Sequence, residues 1–237
     1  MGLAHNQRLQ RVIGGGWMER TSLNWISRVQ LRVLGAHKDK EVIRAIKQMR
    51  RQRRCLLSAY ECYIVHSLAL AQSQQPGELA EVGTYQGGSA RLICEAKGDR
   101  TFHVFDTFEG LPQATGADGK VHSTKQYDSS FESVREYLRE FPNVHLYKGR
   151  FPETAGPIED RTFSFAHFDV DLYESTLACL EFFYPRMIVG GVMLSHDYSI
   201  LAGVRKAFEE FLADKPEALI ELPSTQCMVI KLPGPQA

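Results

Sequence analysis

Gly77-Glu-Leu-Ala-Glu-Val-Gly83-Thr-Tyr-Gln-Gly87-Gly88-Ser89, a helix-like stretch, then Thr101-Phe-His-Val-Phe-Asp106: this run decides how the chain is read. A short apolar strand enters a glycine loop, and a second strand ends on a lone carboxylate. Dinucleotide folds place G-x-G-x-x-G here, so that the backbone can approach a pyrophosphate at a helix N-terminus. In this chain Glu81 stands at the mouth of the loop, ahead of Gly83, Thr84, Tyr85, Gly87 and Ser89. A carboxylate there repels a pyrophosphate and suits an ammonium group. Asp106 follows Gly83 by 23 residues, close to the roughly 20 expected of an acid that holds ribose hydroxyls. A ribose, a cationic amino group and no phosphate describe S-adenosylmethionine. The plainer alternative is that Gly87 and Gly88 only make a tight turn before a helix. A phosphate-binding P-loop is excluded, because no Gly-Lys-Ser/Thr follows.

Downstream the chain alternates strand and helix. Strands are predicted at 78–82, 101–105, 144–147, 163–169 and 187–194, with a closing pair near 218–222 and 227–232. Helices are predicted at 89–96, 131–141, 175–183 and 204–213. Short apolar strands separated by helices predict a mostly parallel sheet covered on both faces. Only Pro223–Gln226 separate the last two strands, which predicts an antiparallel hairpin at the sheet edge. The 237-residue chain fits one domain with a helical extension. We place the extension at residues 1–75 and the α/β domain at 76–237, with Gln74-Gln-Pro-Gly77 as the stop signal between them. In the extension, Val42, Ile43, Ile46 and Met49, then Leu56, Leu57, Tyr60, Tyr63, Ile64 and Leu68, recur at helical spacing. Arg50, Arg51, Arg53 and Arg54 interrupt that pattern and read as a solvated helix face, the alternative being a membrane-surface or anion contact. Residues 1–40 show no clean period: Gly14–Gly16 break any helix, and Trp17, Trp25, Ile26 and Val29 are apolar. Such an arm suits a homodimer or higher homo-oligomer contact.

Lys+Arg and Asp+Glu both number 28, so no global charge argues for a nucleic-acid partner. Cys55, Cys62, Cys94, Cys179 and Cys227 form no C-x-x-C pair and sit among apolar neighbours, which predicts buried thiols in a reducing compartment, the cytoplasm. No apolar run reaches the roughly 18 residues needed to span a bilayer. Residues 111–130, with Pro112, Gly116 and Asp118-Gly119, predict a long loop just after Asp106. At the carboxyl ends of the strands such a loop suits a substrate lid, or is plainly mobile.

Two further acidic groups end strands. Asp169 and Asp171 close Phe165-Ala-His-Phe-Asp-Val-Asp-Leu-Tyr-Glu-Ser175, and being two apart on a strand they face one side. Ser-His196-Asp197-Tyr198 closes the next. In a parallel sheet the two tips can be neighbours, and a cation would relieve their repulsion. Asp169 and Asp197 suit Mg²⁺, and His196, as ligand or supporting partner, admits Mn²⁺, Zn²⁺ or Fe²⁺. A hydroxyl acceptor needs such an arrangement, because a cation lowers its pKa and a carboxylate removes its proton. The competing reading is helix capping by Asp171 or Ser175. His37, His66, His103, His122 and His145 read as core or surface residues.

Pro76–Ser89, Phe105-Asp-Thr-Phe-Glu-Gly-Leu-Pro112, Lys148-Gly-Arg-Phe-Pro-Glu-Thr154, Phe168–Thr176 and Gly190-Gly-Val through Tyr198 together resemble the macrocin O-methyltransferase family, metal-dependent sugar O-methyltransferases. The resemblance covers roughly residues 40–232. It implies a Rossmann-like class I fold, S-adenosylmethionine and Mg²⁺. By position it implies Glu81, Gly83, Thr84, Tyr85, Gly87 and Ser89 around the methionine end of the cofactor and Asp106 on the ribose. Gly149, Arg150 and Phe151 would approach the adenine. Asp169 and Asp197 would ligate the metal, with Asp169 also near the cofactor, and Asp171 would be the general base. The family usually shows two adjacent aspartates before the tyrosine; here His196 replaces the first. The expected activity is metal-assisted methylation of a hydroxyl on a sugar or polyhydroxylated small molecule, with a glycoside the expected acceptor. A catechol-like or lipid acceptor, or a cofactor-binding protein without turnover, are the alternatives.

Overall fold

The computed structural model describes residues 17–53, 55–119 and 125–234. Gly14–Gly16, Arg54, His122 and the 120–124 part of the expected loop lie outside them. Seven strands form one sheet: β1 (Glu78–Val82), β2 (Phe102–Asp106), β3 (Val144–Lys148), β4 (Phe163–Phe168), β5 (Met187–Ser195), β6 (Leu219–Glu221) and β7 (Cys227–Ile230). Their order is β3-β2-β1-β4-β5-β7-β6. β1 to β5 run parallel, and β7 is antiparallel to both β5 and β6. The expected mostly parallel sheet with a C-terminal antiparallel hairpin is therefore the observed one. The order reverses direction between β1 and β4, and open α/β sheets bind ligands in the crevice at such a switch point.

The apolar strands explain the layering. β4 is buried at every position, as a strand covered on both faces must be. On one face α2 (Lys40–Gln52), α3 (Ala59–Gln72), α4 (Gly88–Ala96) and α5 (Phe131–Leu138) share a core that joins Ile46, Met49, Val65 and Ala69 to Leu79, Leu92, Phe102 and Phe165. On the other, α6 (Tyr173–Phe183) and α7 (Ala202–Leu212) pack Leu180, Phe183, Val204 and Phe208 against Phe105, Ala166 and Phe168. Each fully buried phenylalanine contributes roughly 2–3 kcal/mol. A helix cap such as Ser58 contributes about 1 kcal/mol. Burial therefore holds the fold, and the caps set where helices begin.

The N-terminal region differs from the expected pattern in two ways. Residues 17–35 form a helix, α1 (Trp17–Gly35). It buries Ser27 and Leu34 while Trp25, Ile26, Val29 and Val33 stay exposed. Its apolar residues thus face outward as well as inward, which is why no single period stands out. The arginine run is more than a solvated face. Arg50 Nη1 donates to the Leu57 carbonyl at 2.5 Å. Arg53 donates to the Ser133 hydroxyl and carbonyl at 2.7 and 3.0 Å and lies 4.4 Å from the Tyr137 ring centroid. These two arginines clamp the turn between α2 and α3 and fasten it to α5; Arg51 is exposed.

Candidate active site

The glycine loop follows β1 because Gly83 has φ +85°, and a Cβ there would lie 2.0 Å from the Asp169 carbonyl oxygen. Only glycine lets the β1 turn come this close to the end of β4. Asp169 N–H donates to the Val82 carbonyl at 2.9 Å, and Gly83 N–H to that of Phe105 at 2.8 Å. Three strand ends meet there. Gly87, at φ +79°, opens α4 with no side-chain cap.

Asp106 is bound to this loop. One carboxylate oxygen accepts the Thr84 and Tyr85 N–H groups at 2.8 Å each; the other accepts that of Phe108 at 2.7 Å. Burial, with Glu81 nearby, holds its pKa above the usual aspartate value despite these three donors. Thus the residue expected to meet a ribose also holds the shape of the glycine loop. Glu81 is fully buried, and its Oε1 lies 2.9 Å from His167 Nδ1. The β1–β4 register sets these two residues side by side.

Gly149 N–H donates to the Asp106 carbonyl at 3.0 Å, which draws the β3 turn toward the same edge. Arg150 pairs with Glu174 at 3.5 Å, and both side chains are more than half exposed. Phe151 is packed into the core, stacked on Phe183 and edge-on to Phe105 and Phe182.

Asp169 and Asp197 come together, as their places on adjacent strand tips require. His196 Nδ1 lies 3.2 Å from Asp169 Oδ1 and 3.0 Å from Asp197 Oδ1. One ligand atom from each of Asp169, His196 and Asp197 fits within a span of 4.8 Å. Both His196 nitrogens are buried without an aligned hydrogen-bond partner. Burial opposes protonation of His196, but Asp197, Asp169 and Glu61 outweigh it and raise its pKa well above the usual value. Burial opposes ionisation of Asp169, and His196 and His167 reverse that and hold its pKa low. Asp171 adopts φ +60° and Asp197 φ +61°. This left-handed backbone, tolerated by aspartate, carries each chain away from its strand. Burial first, then Asp197 and Asp169, push the Asp171 carboxyl well above the usual range.

Of the eleven buried side-chain polar atoms without an aligned hydrogen bond among the described residues, five lie here: Glu81 Oε2, Thr84 Oγ1, His167 Nε2 and both nitrogens of His196. Native interiors leave few such atoms unpaired. Their presence together at one sheet edge fits a site built for ligands, and the oxygen and imidazole donors fit a divalent cation.

The expected loop after β2 reaches this edge. Its base is closed by Leu111 N–H to the Gln126 carbonyl at 2.9 Å and Lys125 N–H to that of Leu111 at 3.0 Å. The Tyr127 ring meets Tyr85 of the glycine loop edge-on at 5.9 Å. Asp118 was not singled out in the sequence, where Asp-Gly signalled only a turn. Its Oδ1 accepts the Tyr173 N–H at 2.6 Å, and its Oδ2 accepts the Thr115 N–H and hydroxyl at 2.8 Å each. Asp118, not Asp171 or Ser175, supplies the side-chain cap of α6. His167 and Glu61 were missed too. The signal for His167 is its place two residues before Asp169 on the same strand face; for Glu61, it is the Ser58-x-x-Glu61 capping box. Among the other histidines, His103 lies 2.6 Å from Glu78 Oε2 and 3.0 Å from the Tyr147 hydroxyl, as a satisfied core residue does. All five thiols are free, four of them buried and Cys55 half-buried. None of the described helices is long and apolar enough to cross a membrane.

A family model described as Macrocin-O-methyltransferase (TylF) matches residues 64–223. Demethyldecarbamoylnovobiocin O-methyltransferase of Streptomyces niveus is 31% identical over 155 residues, 58% of this chain and 59% of that protein. An 8-demethyl-8-(2,3-dimethoxy-alpha-L-rhamnosyl)-tetracenomycin-C 4'-O-methyltransferase of Streptomyces olivaceus is 32% identical over 145 residues, 53% and 54% of the two chains. The chain thus spans under two thirds of the length of the curated relatives it matches. Among solved structures, the O-methyltransferase NovP superposes with a TM-score of 0.66 at 26% identity, covering 76% of this chain and 82% of its own. An O-methyltransferase from Bacillus cereus in complex with SAH shares the fold at a TM-score of 0.59 and 14% identity, covering 88% of this chain and 100% of its own.

Proposed function

The chain belongs to the macrocin O-methyltransferase family, and on that premise we propose that it transfers a methyl group from S-adenosylmethionine to a hydroxyl of a sugar or polyhydroxylated small molecule, assisted by a divalent metal ion. The observation that carries this reading is the convergence of Asp169, His196 and Asp197 beside a glycine loop that touches the Asp169 carbonyl.

Each group has a task in this reading. Asp106 holds the Thr84 and Tyr85 amides in place and presents its remaining lone pairs to the ribose. Glu81 Oε2 and Thr84 Oγ1, buried and unpaired, receive the donor's amino end, with Gly83, Gly87 and Ser89 leaving room for it. Asp169, His196 and Asp197 would hold the cation, Mg²⁺ or Mn²⁺. A cation bound there supplies Lewis acidity, lowering the pKa of the acceptor hydroxyl and fixing its orientation. Methylation of an alcohol releases a proton, and Asp171, beside this cluster, receives it. The loop after β2, capped onto α6 by Asp118, shields the reacting groups from water.

The relative named for a rhamnosyl tetracenomycin supports a glycoside acceptor. The exposed Trp25, Ile26, Val29 and Val33 on α1 support self-association into a homodimer or larger assembly. The free thiols support a reducing, cytoplasmic setting.

The test is transfer of radiolabelled methyl to a panel of glycosides, catechols and lipids, with and without EDTA. Labelled glycoside, lost on chelation and restored by Mg²⁺, is the expected outcome. Transfer indifferent to chelation would remove the metal, and labelling confined to catechols or lipids would remove the sugar acceptor.

A further inference from the structure

Glu61 lies on α3, outside the β-sheet edge that carries the candidate metal ligands, yet only 3% of it is exposed. Its Oε2 accepts the Ser58 N–H at 2.7 Å, completing the capping box of α3. Its Oε1 accepts both the N–H and the hydroxyl of Thr225, at 3.1 and 2.7 Å, from the turn before β7. Capping alone does not account for the burial. A capping box works equally well at the surface, and a buried carboxylate is costly unless it faces a charge. Among the described residues, the basic side chain within ion-pair distance of Glu61 is His196, whose Nε2 lies 3.5 Å from Oε2. The opposite nitrogen of that ring is the one that faces Asp169 and Asp197.

We propose that Glu61 is a positioning residue that holds the Nε2 side of His196 and turns its Nδ1 toward Asp169 and Asp197. The proposal rests on the metal-site reading above and extends it. The helical extension and the C-terminal hairpin both grip Glu61, through Ser58 and Thr225. They thereby set the tautomer and orientation of a ligand that neither segment contains. Supporting carboxylates of this kind fix the ring of a metal-binding histidine and leave its far nitrogen free for the ion.

Glu61→Gln is the decisive substitution, because glutamine still completes a capping box but removes the charge from Nε2. Ser58→Ala is its control, removing the cap while leaving Glu61 opposite His196. Two measurements on the whole protein without S-adenosylmethionine separate the roles: Mn²⁺ affinity by calorimetry, and the Nε2-bound proton resonance of His196 in ¹⁵N-labelled protein, assigned by its loss in His196→Asn. We expect Glu61→Gln to weaken Mn²⁺ binding by about 10- to 100-fold and to move the resonance, with Ser58→Ala changing neither. Equal Mn²⁺ affinity in Glu61→Gln and wild type, or an unmoved resonance, overturns the proposal. If the wild type takes up no Mn²⁺, the metal reading falls instead, and the resonance comparison alone decides the role of Glu61.

Discussion

Asp118 Oδ1 accepts the backbone N–H of Tyr173 at 2.6 Å, so a loop residue 55 positions away caps the helix that follows Asp171. The fit is close: a Cβ on Gly203 would lie 2.2 Å from the same Oδ1. This contact ties the loop after β2, the turn that carries the proposed base, and the start of α7 into one unit. Asp118→Ala should cost about 1–2 kcal/mol as a lost cap and lower Tm by roughly 2–8 °C. Freed from α6, the loop should also raise KM for the acceptor more than it lowers kcat. Thermal unfolding and steady-state kinetics check the two effects. An unchanged KM would mean that the loop does not meet the acceptor.

Asp171→Asn tests the base. Asparagine tolerates the left-handed backbone at this position, so the fold should survive. Loss of a positioned base should reduce kcat about 10²- to 10⁴-fold, with S-adenosylmethionine affinity unchanged. Initial rates and calorimetry together give the answer; a rate near wild type would assign proton removal to another group.

Asp106→Ala removes the acceptor of three backbone N–H groups along with the expected ribose contact. Binding of S-adenosylhomocysteine should weaken by about 1–3 kcal/mol. Calorimetry showing no change would mean that the cofactor lies elsewhere.

Much of this architecture is legible in the sequence. The strand limits follow from short apolar runs between turn signals, and Asp169, Asp171, His196 and Asp197 fall at strand tips that a parallel sheet makes neighbours. What stays hidden depends on pairs distant in the chain. Glu61 with Thr225, Glu81 with His167, and Asp118 with Tyr173 leave no periodic trace, because each is fixed by sheet register or helix packing rather than by local spacing. A second reason is that a motif does not report packing: Phe151 lies in a stretch that resembles a cofactor-binding motif, and its ring contacts with Phe105 and Phe183 leave no trace in it. Helix α1 is obscure for a third reason, since its exposed apolar residues blur the amphipathic signal on which such a reading depends.

Glu217 gives the protein a defined acid limb. Burial opposes its ionisation, but the Lys231 ammonium at 2.8 Å, the Tyr184 hydroxyl at 2.7 Å and the Leu232 N–H at 3.2 Å prevail and hold the carboxyl below its usual range. A depressed folded pKa adds stability above the unfolded value and loses it as pH falls toward the folded one. Wild type should therefore exceed Glu217→Gln by about 1–3 kcal/mol at neutral pH. The gap should close progressively below about pH 4.3. Urea unfolding across this range measures it; a gap that persists undiminished in acid would show that the carboxylate charge plays no part.

The most direct measurement of the central claim is a crystal structure with S-adenosylhomocysteine and Mn²⁺, with the metal located by its anomalous signal. The account predicts one strong peak in direct coordination contact with Asp169, His196 and Asp197, with the sulfur of the cofactor beside the Gly83–Ser89 loop. A peak at another site, or a cofactor bound away from that loop, would contradict it.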